Sequence, residues 1–72
     1  MKYKLAIIIG QNNTLYDLII EALKSYDYAF AGKKSLYSDG YPILLVHDNG
    51  CLDRATYGFD LTRCEMIVNL EI

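Results

Sequence analysis

His47, Asp48, Cys51 and Asp53 fall within residues 47–53 and are the densest group of reactive side chains in the sequence. A cysteine beside a histidine makes an activated nucleophile, and a histidine with two carboxylates can hold a metal ion. Both chemistries need the side chains on one surface. The group brackets Asn49-Gly50, the strongest short-range signal for a two-residue hairpin turn, because both residues tolerate positive φ. Such a turn sends His47 and Cys51 to opposite faces. One histidine and two cysteines also cannot complete a structural zinc site without carboxylates. The expected role of residues 47–53 is therefore a polar hairpin end with Asp48 serving the turn. No catalytic residue, metal or cofactor is expected there, and a small metal-dependent or thiol enzyme is the third-ranked function.

Two further groups carry weaker chemistry. The run Gly10-Gln11-Asn12-Asn13-Thr14 joins a strand to a helix, and free amides at a helix start can bind an anion. The further glycines of a dinucleotide fingerprint are missing, as is the Lys-Ser/Thr of a phosphate-binding loop. Turn and cap chemistry accounts for every residue of the run. Cys51 and Cys64 read as small buried hydrophobes and free thiols.

The elements that position these groups follow from periodicity. Lys2 to Ile9 is a strand. Residues from Thr14 to Tyr26 form a helix, with Leu15, Leu18, Ile19, Ala22, Leu23 and Tyr26 on one apolar stripe. Asn13 or Thr14 caps it, and Thr14 with Asp17 is an imperfect capping box. Tyr16 lies off the stripe and is expected at the surface. Tyr28 to Tyr37 is a weaker strand, followed by a Ser38-Asp39-Gly40 turn. Tyr41–Asp48 and Cys51–Gly58 form the hairpin. From Thr62 to Ile72 alternate residues are apolar, the period of a half-buried strand. The expected fold is α+β in two layers. One helix packs on a mainly antiparallel sheet of four to five strands, in the order β-α-β-β-β-β.

With a two-residue turn, Val46 faces Asp53 and Leu44 faces Ala55. One face then carries Leu44, Val46, Ala55, Tyr57 and Cys51, beneath the helix. The other carries Ile43, Leu45, His47, Leu52, Arg54 and Thr56, joined by Arg63, Glu65 and Ile67 of the last strand. Apolar residues within a polar rim mark an interaction surface. Tyr37 and Tyr41 flank the turn at residues 38–40 and extend the candidate protein-binding set.

The chain has 72 residues, one domain by size, with 53% hydrophobic residues and a net charge of −2. That apolar fraction exceeds what one small core needs, which favours an interface. The acidic balance argues against a dedicated nucleic-acid binder. A module using exposed tyrosines with Lys33 and Lys34 is the alternative function. The N-terminal apolar run is shorter than a secretory signal needs, and no stretch approaches a membrane span of ~20 residues. A cytoplasmic location is expected.

The leading expectation is a small non-enzymatic interaction protein. Its partner would be a larger protein or ribonucleoprotein complex, or a second copy in a homodimer. In physical type, though not in sequence, it is similar to small phage-encoded inhibitors of host or CRISPR machinery, the viral anti-CRISPR class.

Overall fold

A computed structural model describes residues 3–30 and 41–71. The elements run β1 (Tyr3–Ile8), α1 (Asn13–Lys24), β2 (Ala29–Phe30), β3 (Ile43–Val46), β4 (Cys51–Ala55), a 3-10 turn (Leu61–Arg63) and β5 (Cys64–Asn69). They make one helix and a 5-stranded mixed sheet in the order β2-β4-β3-β1-β5. The fold is α+β, in the element order expected from the sequence. Antiparallel pairing holds β1 to β3 and β3 to β4. Both outer strands are parallel to their neighbours, β5 to β1 and β2 to β4, so the sheet is less antiparallel than its short turns suggested. The expected strand beyond Phe30, the turn at residues 38–40, and Lys33, Lys34 and Tyr37 lie outside the described residues.

α1 starts where Asn12, not Asn13 or Thr14, takes the cap. Its Oδ1 accepts from the Leu15 N–H at 2.9 Å, satisfying one of the amides a helix start leaves open. At the other end Tyr28 N–H donates to the Leu23 carbonyl and Asp27 N–H to the Lys24 carbonyl. This is a Schellman closure, with Asp27 at φ 68° in the left-handed position that glycine usually fills.

The buried face of α1 is rotated from the expected stripe. Tyr16 and Ile20 are fully buried, flanked by Leu15, Ile19 and Leu23. Leu18 and Tyr26 are exposed. The helix face packs on Ile7, Ile9, Leu44, Val46 and Leu52. A second cluster of Ala6, Ile43, Leu45 and Ala55 lies on the other side of the sheet. The β4–β5 connection covers it with Phe59 and Leu61, joined by Tyr3, Ile8 and Cys64. Asp60 fixes that connection, accepting from the Thr62 N–H at 3.1 Å and the Thr62 hydroxyl at 2.6 Å. These bonds hold the Asp60 carboxyl below its ordinary pKa. The sheet therefore has apolar cover on both faces, though there is one helix among the described residues.

Candidate interaction surface

The Asn49-Gly50 hairpin forms, with a loop one residue longer than expected. Gly50 alone in the turn has positive φ, at 88°. A two-residue type I′ turn needs positive φ at both central residues, and Asn49 does not supply it. Instead Gly50 N–H donates to the His47 carbonyl, and His47 N–H to the Cys51 carbonyl at 2.9 Å. The Asn49 side chain accepts from the Cys51 N–H. The loop is thus Asp48-Asn49-Gly50, a three-residue turn with glycine in the left-handed position.

That extra residue shifts the register by one. Leu44 faces Arg54, Leu45 faces Asp53 and Val46 faces Leu52. Every β4 side chain changes face as a result. Leu52, expected on the open face, is buried under α1. Burying a leucine contributes about 1.5–3 kcal/mol, which explains why this register wins.

The expected open face is therefore not assembled. Ile43 and Leu45 are buried beneath Phe59 and Leu61. Arg54 lies opposite Leu44, toward the helix side, its guanidinium 5.0 Å from the Tyr41 ring centre and 5.9 Å from that of Phe30. Thr56 is exposed past the end of β4. His47 is half-buried, its ring centre 4.2 Å from that of Tyr3. The turn sets His47 across from Cys51, not on the opposite face. Among the described residues no three His, Cys, Asp or Glu side chains are grouped to hold a metal ion. Cys51 and Cys64 are free, half-buried thiols, and burial raises the Cys64 pKa against the opposing pull of Arg63.

Of the expected site, Tyr41 is exposed beside Arg54, and Glu65 and Ile67 lead to a larger accessible apolar surface. β5 is an outer strand, beyond the cover of the helix and of the β4–β5 connection. Met66 is 62% exposed, Ile67 48%, Leu70 39% and Val68 36%. Met66 and Val68 stand beside Leu5 and Ile7, while Ile67 stands beside Ala6, so apolar side chains project from both sheet faces. Alternation put Thr62, Cys64, Met66, Val68, Leu70 and Ile72 on the covered face of a half-buried strand and Ile67 on the wet one. The available signal for apolar side chains on both faces was the uninterrupted Met66-Ile67-Val68 run; its place at the edge comes from pairing with β1 alone.

The backbone of β5 is equally open. Leu70 N–H donates to the Ile8 carbonyl at 2.8 Å. Strand backbone groups alternate in direction, so Met66 and Val68 also turn inward to β1. Glu65, Ile67 and Asn69 turn their N–H and C=O groups outward, along an edge that no strand among the described residues pairs. Edge strands are normally guarded by lysine, proline or a bulge. β5 has none of these, and its sole charged residue is Glu65.

The anion reading of the strand–helix junction fails on charge. A shallow cleft of about 390 Å³ lies there, lined by Ile9, Gln11, Asn12, Leu15, Leu70 and Glu71. The Glu71 carboxylate accepts a hydrogen bond from the Tyr57 hydroxyl, which raises the Tyr57 pKa. A carboxylate in the wall repels an anion, and Asn12 already takes one helix amide.

Among the described residues no helix is long and apolar enough to cross a membrane. The chain matches no protein-family model, and no curated protein or solved structure is similar to it.

Proposed function

We propose that this chain is a small non-enzymatic protein-interaction module whose docking element is the outer edge of β5. The observation that carries this reading is the combination of outward backbone groups at Glu65, Ile67 and Asn69 with exposed Met66, Ile67 and Val68. An extended strand of another chain gains main-chain hydrogen bonds at such an edge, and side chains on alternate faces supply selectivity. Blocking a larger protein or ribonucleoprotein complex, the role suggested by size and charge, requires no more than this edge. Two free thiols suit a reducing cytoplasm.

The test is a photo-reactive residue in place of Ile67, irradiated in the source cells. A covalent product between this position and any protein chain, absent when the probe replaces the exposed Thr56, supports the reading. Irradiation that yields no product from Ile67 overturns it.

A further inference from the structure

We propose that Asn49 is a self-modifying site gated by the hairpin. The closed turn keeps it intact, and each opening exposes it to conversion into aspartate or isoaspartate. No enzyme or cofactor takes part, and water is the co-reactant. This site is independent of the β5 edge and of any partner there.

The chemistry follows from the residue pair. A deprotonated backbone nitrogen can attack the carboxamide of the asparagine before it, because Cγ, Cβ, Cα, the carbonyl carbon and that nitrogen close a five-membered ring. A side chain on the second residue crowds the attack, and glycine has none. Asn49 is the one asparagine followed by glycine; Asn12, Asn13 and Asn69 precede Asn13, Thr14 and Leu70. Hydroxide takes the Gly50 N–H proton. The nitrogen bonds to Asn49 Cγ, the bond from Cγ to Nδ2 breaks, and ammonia leaves with a proton from water. Water then adds to either carbonyl of the succinimide. Opening on one side leaves the normal main chain with an aspartate. Opening on the other leaves isoaspartate, in which the main chain runs through Cβ and Cγ. Nothing is oxidised or reduced, and the sum is an amide hydrolysis.

In the closed turn both reacting groups are engaged elsewhere. Gly50 N–H donates to the His47 carbonyl, and Asn49 Oδ1 accepts from the Cys51 N–H at 3.1 Å. The His47 N–H bond to the Cys51 carbonyl, at 2.9 Å, pins the two ends of the loop. Ring closure must give up both turn bonds and swing the carboxamide from Cys51 to the Gly50 nitrogen. Yet Asn49 is exposed to water, and the Gly50 bond is long at 3.3 Å, past the usual range of about 2.7–3.2 Å. The protection therefore belongs to the hairpin as a unit and ends when it opens. Such local opening costs less than global unfolding.

The two products differ in what they do to the fold. Aspartate leaves the loop length unchanged and still offers an oxygen to the Cys51 N–H. Isoaspartate adds a main-chain atom between His47 and Cys51. The register that sets Leu52 opposite Val46 and beneath α1 depends on that length, so the isoaspartate form does not regain it. The turn is a timer that turns accumulated opening into permanent loss of the register.

The experiment incubates the full-length chain in heavy-oxygen water at mildly alkaline pH, folded and in guanidinium chloride, and reads position 49 by peptide mapping. Conversion should take up heavy oxygen at that position and run at least about tenfold slower in the folded chain than in denaturant. Leu52→Ala, which loosens the hairpin without touching a reacting atom, should accelerate it in the folded chain, and Thr56→Ala should not. Gly50→Ala should slow it in denaturant, where no fold is at stake. After denaturant is removed, the aspartate form should regain the native spectrum and the isoaspartate form should not. A folded chain that converts as fast as the unfolded one overturns the gate, as does a folded Leu52→Ala chain with an unchanged rate. Asn49 left intact in denaturant overturns the site itself, and native refolding of the isoaspartate form overturns the timer. Should Leu52→Ala not fold, the folded and unfolded rates of the unsubstituted chain decide.

Discussion

Tyr28 donates its backbone N–H to the Leu23 carbonyl at 3.1 Å, closing α1 across a left-handed Asp27. The closure works against the residue it contains. An aspartate at that conformation carries a Cβ penalty, and its charge sits at the negative end of the helix dipole. Asp27→Gly should stabilise the fold by about 0.5–1 kcal/mol, a rise of a few degrees in a thermal melt. Asp27→Val should lower the melting temperature. An unchanged melt in both would show that the closure carries no strain.

Leu52 distinguishes the two hairpin registers. Beneath α1, its truncation to alanine should cost about 2–5 kcal/mol in urea unfolding. Thr56→Ala, at an exposed position, should stay within about 0.5 kcal/mol. Equal and small effects would favour the two-residue turn.

Gly50 and Gly10 both hold positive φ, at 88° and 75°. Gly50→Ala meets only the Asp27 carbonyl at ordinary contact distance, so its cost is the left-handed backbone, about 1–2 kcal/mol. Gly10→Ala adds a Cβ 2.7 Å from the Glu71 carboxylate oxygen. It should therefore also displace Glu71 from Tyr57. Difference spectra of tyrosine ionisation would show the Tyr57 pKa falling toward its ordinary value in Gly10→Ala and not in Gly50→Ala.

Tyr16 sets an alkaline limit on stability. Burial pushes its hydroxyl pKa up to about 12, opposed by Arg54 and assisted by Asp17. The folded state thus binds this proton more tightly than the unfolded chain does. The associated stability is complete below pH 10 and is lost as the pH rises from 10 toward 12, on the order of 2 kcal/mol. In Tyr16→Phe the decline across that window should be shallower, as followed by circular dichroism. An identical slope would show that Tyr16 ionises without unfolding the chain.

Much of this architecture was legible because local chemistry and tertiary structure agree. The helix after Asn12, the hairpin at Asn49-Gly50 and the strand from Cys64 each carry their own periodicity or turn residues. The failures have separate physical causes. Tyr16 was placed outside because it lies off the stripe through Leu15, Leu18 and Leu23, while the buried face is rotated so that its ring fills the centre of the helix contact with Ile20. The hairpin faces were exchanged because Asn-Gly suits two loop lengths, and burial of Leu52 decides between them. β5 was expected to be half-buried because alternation reports the side chains of a strand and not its place in the sheet. Pairing with β1 put it at the edge, where neither Phe59 nor α1 reaches Met66. The candidate site was legible only at Glu65 and Ile67.

The parallel bond between β1 and β5 also bears on how the chain is made. Leu5 pairs with Met66 and Ile8 with Asn69, contacts that span nearly the whole sequence. A chain emerging from the ribosome can form the helix and the hairpin early, because their contacts are local. The outer edge of β1 stays open until β5 has been made and has docked on it. Contacts of such sequence separation slow folding, so completion of the sheet waits on the emergence of β5. During that interval the exposed edge belongs to β1, and only afterwards to β5.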